Sequence, residues 1–466
     1  MLRSSRHLWS AGRRLCRAAS SAADPPSGAG PPAGEYDVVV SGGGMVGLAA
    51  AAALLTDPVL RDYRVTVLET ATPPANKPLP DEFSNRVCAL SPATRRLLER
   101  VGAWSHVERF STTQHMQIWE TCSDAMIRFE NLEEPEDLAY IVENDVICRA
   151  LRRALEDAGG EVAYSSAVSE IHLPTVGAAP TDDQVRLQLA DGRELTCALL
   201  VGADGFNSAV RRAMGVRTLG WGYGQRAVVA TLKLADGGPA NTVAWQRFLP
   251  TGPLALLPLS DTRSSLVWST SDADARRLLS FADDDFVDAL NGALWAEHEA
   301  APAVQWACDA TRGLLGSLGL RSPSGPVQLP PSVTGLVPNS RAAFPLALQH
   351  AENYVSRRAV LVGDAARRIH PLAGQGANLG FGDVSELTEV LSAAAARGGD
   401  LGAPAQLAEY ETARQRASAA LLALTDGLQR LYGTELAPLV LLRSVGLQVC
   451  DAVPIVRRLL MDRARA

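Results

Sequence analysis

The sequence has no two cysteines at CxxC spacing, no uninterrupted apolar run of 18 residues, no internal repeat and only seven histidines in 466 residues. Each shortage removes a class of protein. The cysteines, at 16, 88, 122, 148, 197, 308 and 450, are scattered, so neither a disulfide framework nor a zinc site is indicated. The most apolar window, residues 437–456, is interrupted by Arg443, Asp451 and Pro454, and a membrane-spanning helix is not predicted. Positive charge is also short: 44 Lys and Arg face 51 Asp and Glu, for a net charge of −7. Five arginines (Arg3, Arg6, Arg13, Arg14 and Arg17) lie in the first 23 residues, so the body is more acidic still. That balance argues against nucleic acid as a partner. With 47% hydrophobic and 20% charged residues, the chain is globular and long enough for two domains.

The first 23 residues are Arg- and Ser-rich, contain no acid, and space Leu2, Leu8, Trp9 and Leu15 between the charges. This is the composition of a mitochondrial presequence rather than of a secretory signal; a disordered basic tail is the alternative. The Pro- and Gly-rich residues 24–34 read as a linker.

From residue 35 the pattern is strand, glycine cluster, Ala-rich helix, strand: "YDVVVSGGGMVGLAAAAALL" and then "RVTVLE". This order is a βαβ unit and predicts a parallel sheet. Gly42, Gly44 and Gly47 fill GxGxxG spacing. The first permits a tight turn, the second lets backbone approach a pyrophosphate, and the third allows close helix–strand packing. Glu69 closes the second strand, where an acid binds a ribose hydroxyl, as for FAD or NAD. The glycine motif alone does not choose between those two.

Apolar runs at 198–204 and 359–364 each end in Gly and Asp and read as further buried strands, so the sheet is assembled from distant segments. Between them, residues 228–270 contain four short strand-like runs separated by turn residues, as in an antiparallel sheet. A second domain at 220–350 is therefore expected, inserted between 35–219 and 351–400. Residues 314–332 have loop composition. From 385 the chain reads as helix, with 401–466 a helical C-terminal region.

Two later stretches settle the cofactor expectation. "GADGFNSAVR" (202–211) and "GDAARRIHPLAGQGANLGFGD" (363–383) resemble the DG and GD signatures of flavin monooxygenases related to para-hydroxybenzoate hydroxylase. "SNRVCALSP" and "VENDVICRAL" extend the likeness over about residues 36–400. The resemblance implies a Rossmann-type α/β FAD-binding domain with an inserted antiparallel β-sheet substrate domain and a helical C-terminus. It carries Asp364 to the ribityl chain of FAD, and Pro371, Gly374, Gly376 and Asn378 to the loop along the isoalloxazine. Arg86, Asn144 and Arg149 match positions on the pyrophosphate and ribityl side, and Asp204 and Gly205 match the DG signature. Simpler readings stay open for several of these. Arg149 also suits an exposed helix position, Asn144 a helix cap and Asp204 a strand end. His370 suits either a structural or a functional role.

Members of this family reduce FAD and trap O2 as a flavin C4a-hydroperoxide, whose distal oxygen passes to an electron-rich ring. The cofactor supplies that chemistry and the protein positions the ring. With the N-terminal composition and the strand runs at 244–270, the chain resembles the mitochondrial branch that serves ubiquinone biosynthesis. That branch implies a polyprenylated phenolic substrate hydroxylated at C5, with a second ring carbon as a further candidate. It implies ferredoxin and ferredoxin reductase as electron donor, though NAD(P)H is used directly by other members. It also implies companion biosynthetic proteins in a complex, and peripheral contact with the matrix side of the inner membrane. The C-terminal segment from 437, with Arg457 and Arg458 at its end, is a candidate for that contact; a partner-protein contact or ordinary core are the alternatives. Another phenolic or lipid substrate, or a flavin-binding scaffold without activity, would leave the same signatures. One position departs from the family pattern: Arg367 stands where GDAAH has histidine, and it is expected to point outward as a surface change.

Overall fold

The computed structural model describes residues 34–456 except 76, 122, 124, 131–136, 175–182, 237, 239, 296–301, 321–328, 435 and 454. The expected presequence, the expected linker up to residue 33, and Arg457 and Arg458 lie outside the described residues.

The first sheet grows from the βαβ unit. Its parallel core is β19 (Ala359–Leu361), β11 (Glu194–Gly202), β1 (Gly34–Ser41), β2 (Val65–Leu68) and β8 (Val162–Ala163), in that order. Val40 pairs with both Val67 and Val201, and Val201 with Val360. β18 (Val355–Ser356), β10 (Val185–Leu189) and β9 (Val168–His172) extend it with antiparallel pairs. Helix α1 (Met45–Thr56) has an apolar circumference, with Leu48 through Leu54 all buried. Alanine suits it because a helix enclosed on every side needs small residues for close approach. It packs on α3 (Asn144–Asp157) and α8 (Gly376–Ala396).

The second sheet is ordered β20 (Arg367–Arg368), β17 (Ala342–Ala351), β12 (Thr218–Leu234), β15 (Arg263–Ser271), β14 (Gly252–Ser260), β13 (Val243–Leu249), β5 (His115–Glu120), β6 (Met126–Glu130), with β16 (Val333–Leu336) on β12. The four runs read at 228–270 are its centre, paired antiparallel. The sheet also recruits β5 and β6 from upstream, β5 running parallel to β13. Helices α5 (Asp272–Ser280) and α6 (Asp283–Trp295) cover one face through Leu278, Phe286 and Leu290, against Leu254, Leu256, Leu266 and Trp268. A third sheet, β3 (Val87–Leu90), β7 (Ala139–Glu143) and β4 (Ser111–Thr113), leads into α3.

The remaining helices are α2 (Pro92–Arg100), α4 (Ala209–Ala213), α7 (Pro302–Ser317), α9 (Pro404–Tyr432) and α10 (Ala437–Ala452). Leu314–Ser317, read from composition as loop, complete the last turn of α7. The described residues fall in one compact unit. Among the described residues no helix is long and apolar enough to cross a membrane.

Candidate functional site

The carboxyl ends of β1, β2, β11 and β19 are tied edge to edge. Gly42 N donates to Leu68 O (2.9 Å), Ala203 N to Ser41 O (2.8 Å) and Val362 N to Gly202 O (3.0 Å). This is the end of an open α/β sheet at which ligands bind, and it gathers Gly42, Glu69, Asp204 and Asp364. Gly42 has φ +109°, and a Cβ on it would lie 2.5 Å from Ala203 O. A Cβ on Gly47 would lie 1.9 Å from Gly42 O, so helix and strand approach as closely as backbone allows. Gly44 caps α1 without a side-chain bond, and nothing lies within 4 Å of its Cβ position. The first turn of α1 therefore presents N–H groups and the positive end of its dipole to open space. Glu69 sits beneath this loop: Oε2 accepts from Gly43 N (2.8 Å) and Oε1 from Ala71 N (2.8 Å), which leaves lone pairs for ribose hydroxyls.

The later signatures meet the same end of the sheet. Asp204 Oδ2 accepts from Ala209 N (2.6 Å) and Val210 N (3.2 Å), fixing the start of α4, whereas its buried Oδ1 has no partner. Gly205, at φ +77°, makes the turn between them. Arg211 joins the two signatures, donating to Phe206 O (2.5 Å) and to Ala365 O (2.6 Å). Asp364 follows Gly363, which has φ +59°. Asp364 itself is exposed to solvent. Neighbouring protein atoms desolvate its carboxylate and raise its pKa, and Arg368 and Arg367 oppose the rise.

Beyond Asp364 the chain makes a tight turn at Pro371–Ala373, reverses at Gly374 (φ +61°) and enters α8 at Gly376. Gly374 and Gly376 are exposed along this edge. Asn378 anchors it: Oδ1 accepts from Ser91 N (3.0 Å) and Thr94 Oγ1 (2.8 Å), and Nδ2 donates to Ala89 O (2.9 Å) and Gln375 Oε1 (3.2 Å). Its side chain is thus committed inside the protein, and backbone is what the loop offers a ligand.

The expected pyrophosphate-side residues are less uniform. Asn144 opens α3, after Glu143 rather than as the cap itself, and its Oδ1 accepts from Cys88 Sγ (3.0 Å). Burial, then nearby Cys148 and Asp364, push the Cys88 thiol up to about 12. Arg86 is exposed. Arg149 is held on Glu108 Oε1 (3.1 Å) and Lys77 O (2.6 Å).

Two side chains of the 363–383 stretch differ from their sequence reading. Arg367 does not point outward: it is 3% exposed and lies bidentate on Asp383. A guanidinium buried there needs a buried anion, and the aspartate of the terminal "GFGD" supplies one. His370 is fully buried, and its Nδ1 accepts from Leu372 N (3.2 Å). Burial lowers its pKa to about 4, so the ring is neutral and works as a cap.

The uncovered face of the second sheet looks toward this loop. Phe248 of β13 stacks on Tyr432 of α9 (centroids 3.7 Å apart) and packs with Leu372. Side chains alternate along strands, so the residues between those under α5 and α6 line this face. Gln246, Ala255, Leu257 and Val267 are among them and stay partly exposed at mid-strand. These side chains, none of them charged, form a wall on the side of the sheet that meets the loop through Phe248 and Leu372. No cluster of His, Cys, Asp and Glu fit for a metal ion occurs among the described residues.

The comparisons with known proteins agree with this geometry. The model of the FAD-binding domain family matches residues 35–310 and 331–425. The ubiquinone biosynthesis monooxygenase COQ6 of Xenopus tropicalis is 48% identical over 431 residues, covering 91% of this chain and 92% of the relative. The Homo sapiens protein of that name is 47% identical over 425 residues, covering 90% of each. The chain belongs to the COQ6 family of FAD-dependent monooxygenases. The family reaches to the Schizosaccharomyces pombe protein, 34% identical over 428 residues. In fold, the chain is similar to Pseudomonas aeruginosa PqsL in complex with 2-aminobenzoylacetate (TM-score 0.65, 20% identity, 89% and 99% of the two chains). It is also similar to p-nitrophenol 4-monooxygenase from Pseudomonas putida (TM-score 0.64, 18% identity, 93% and 99%). The cofactor of the family is FAD, and its activity is that of an oxidoreductase.

Proposed function

We propose that this chain hydroxylates the aromatic ring of a polyprenylated hydroxybenzoate or phenol in ubiquinone biosynthesis, at C5 and with a second ring carbon as a further candidate. The observation that carries the reading is the juxtaposition of the glycine loop, the Asp364 turn and an open apolar sheet face. The turn of α1 and Gly42, Gly44 and Gly47 would hold the pyrophosphate, Glu69 the adenosine ribose and Asp364 the ribityl chain. Backbone from Pro371 to Gly376 would meet the polar edge of the ring, and Asp204 and Gly205 would organise the opening between the two signatures. Arg86, Asn144 and Arg149 complete the pyrophosphate and ribityl side. Held there and reduced, FAD would supply the oxygen-activating chemistry by which one atom of O2 is placed on the ring and the other is released as water. The chain's own residues fix the cofactor and exclude water, with Phe248, Ala255, Leu257 and Val267 as the wall against the substrate ring.

In this reading residues 220–350, with β5 and β6, form the substrate domain; 35–219 and 351–400 hold FAD, and the helical C-terminal region begins at 401. Electrons come from ferredoxin and its reductase, and the protein works in the mitochondrion, on the matrix side of the inner membrane, beside other biosynthetic proteins. Support for membrane contact is the inverted amphipathicity of α10. Arg443, Ser444, Gln448 and Asp451 face inward and are buried, whereas Leu436, Leu439 and Leu442 are exposed. Trp306 of α7, which packs on α10 through Val304 and Val440, is 74% exposed. Amphipathic helices that lie on bilayers present such a face, and four arginines with one aspartate follow in residues 457–466.

The test is to feed ring-labelled prenyl-hydroxybenzoate to cells lacking the protein. An accumulated intermediate missing one ring hydroxyl supports the reading, and normal ubiquinone defeats it. The flavin assignment is tested separately by Asp364→Ala, which should purify without FAD; full occupancy refutes it.

A further inference from the structure

Four hydrogen bonds converge on the carboxylate of Asp383, which has no solvent exposure. Arg367 donates through Nη1 (2.5 Å) and Nη2 (2.9 Å), Arg414 through Nε (2.7 Å), and the main-chain amide of Gly363 donates to Oδ2 (2.8 Å). Arg414 also reaches Leu379 O (3.0 Å), so the hub spans β20, α8 and α9. The Arg367 guanidinium lies 5.8 Å from the centre of the Tyr354 ring, and the Tyr410 hydroxyl donates to Leu361 O (2.7 Å) beside it. Two cations and one anion are thus enclosed directly behind Gly363 and Asp364. Apolar side chains fill such a volume without the cost of removing three charges from water, so packing alone does not account for the arrangement. What the charges do accomplish is specific: the carboxylate grips the amide of Gly363, at the φ +59° position where the turn reverses.

We propose that Arg367 is a positioning residue for the flavin site. It acts through Asp383 on the Gly363 amide to fix the turn that presents Asp364, and with Arg414 it keeps a net positive charge behind that turn. The inference rests on the reading of residues 363–378 as the flavin-contacting stretch. The fork makes two parallel bonds to one carboxylate, so it holds direction as well as distance. The charge has a second effect, since a fixed cation near the flavin favours its more negative, reduced form.

The experiment uses the full chain and three variants: Arg367→Met, which keeps length without charge; Arg367→Lys, which keeps charge without the fork; and Asp364→Ala as the control for the site. FAD affinity is measured by quenching of flavin fluorescence on the apoprotein, and the midpoint potential of the bound flavin by dye-coupled reduction. Arg367→Met is expected to weaken FAD binding tenfold or more and to lower the potential. Arg367→Lys is expected to weaken binding by less and to keep the native potential, an outcome that loss of packing would not produce. Native affinity and potential in Arg367→Met overturn the proposal, as does an equal fall of potential in Arg367→Met and Arg367→Lys. If Arg367→Met does not fold, the lysine variant decides: weakened FAD binding at native potential supports the proposal, and a native affinity or a fallen potential overturns it. Normal FAD binding by Asp364→Ala overturns the flavin reading itself; lost binding there with native behaviour of the Arg367 variants overturns only the positioning role.

Discussion

Two glycines of one motif should respond oppositely to the same methyl group. Gly44 has extended backbone (φ −76°, ψ −179°) and nothing within 4 Å of its Cβ position. Alanine is a poorer helix cap than glycine by about 1 kcal/mol, and its stiffer unfolded chain returns about 0.4–1 kcal/mol. Gly44→Ala should therefore leave the apoprotein within about 1 kcal/mol of native. With an unfolding entropy of about 2.1 cal/mol/K per residue, that is a shift in Tm of about 1 °C in a body of this size. Gly47→Ala places its Cβ 1.9 Å from Gly42 O, where real Cβ contacts stay beyond 3.0 Å. The neighbour is backbone at a strand end that is itself hydrogen bonded to Leu68 O, so α1 has to retreat from β1. Overpacking against a partner that cannot yield costs about 3 kcal/mol or more.

The ligand reverses the order of the effects. A methyl at Gly44 occupies the open space in which the loop would receive a pyrophosphate, and the loss should be at least hundredfold in FAD affinity, about 2.7 kcal/mol. Both apoproteins should be melted without FAD, because a ligand that binds only the native state raises Tm by mass action and would mask the comparison. Each is then titrated with FAD by fluorescence quenching. Gly44→Ala should melt with the native protein and fail to hold FAD, and Gly47→Ala should melt well below it. Native FAD affinity in Gly44→Ala refutes the placement of the cofactor. A large loss of stability in Gly44→Ala refutes the argument from open space.

Three further outcomes follow from the same structure. His370 has its pKa lowered to about 4 by burial, so the unfolded chain binds a proton near pH 6.5 that the folded chain refuses. Stability should fall as pH drops through 6.5 and level off near 4, by about 3 kcal/mol in all, and His370→Asn, which keeps a capping oxygen, should remove that share of the acid sensitivity in pH-dependent urea melts. Arg443 and Glu120 pair at 2.7 Å with both side chains almost fully buried, so Arg443→Met leaves a buried carboxylate without its cation. A loss of about 3–5 kcal/mol is expected in thermal or chemical unfolding, and a loss under 1 kcal/mol would mean that the pair is not enclosed. Replacing Leu439 and Leu442 together by Glu should abolish sedimentation with vesicles containing anionic lipid while leaving FAD content unchanged; unaltered sedimentation refutes the assignment of α10 to the bilayer.

The parts of the site legible in sequence are those in which one local segment does one job. Gly42, Gly44 and Gly47 lie in six residues and sit between two strands with a fixed period, so spacing and pattern pointed to the same turn. Asp364 was readable because an apolar strand delivers it to a run of small residues. The hub behind it was not, because its members come from the turn at Gly363 and from Arg367, Asp383 and Arg414 on β20, α8 and α9, and an arginine in a glycine-rich loop has no local feature that marks it as buried. Arg211 was passed over for the same reason: its partners, Phe206 O and Ala365 O, are carbonyls, which leave no trace in side-chain identity. β5 and β6 were missed because the alternation in "HMQIWE" is interrupted, and their place on β13 is set by pairing with a strand more than a hundred residues away.

α10 is the segment whose direction the sequence left open, between bilayer contact, partner contact and core. Its leucines at 439, 441 and 442 and its polar residues at 443, 444, 448 and 451 define two faces at helical spacing, and a periodicity argument turns the apolar face inward. Here the polar face is the inner one, because it meets polar groups already buried in the second sheet. Glu120 accepts from Arg443 and Ser444, and Asp451 accepts from Arg128 N at 3.0 Å. Those groups at the edge of β5 and β6 would be left without partners under an apolar face, at a cost of about 1–3 kcal/mol each and more for the carboxylate. Leucines at the surface cost less than that in a water-exposed helix, and nothing at all if a bilayer covers them. Polarity of the surface beneath a helix, which periodicity does not report, therefore decides its orientation, and the same decision leaves the apolar face free for the contact proposed here.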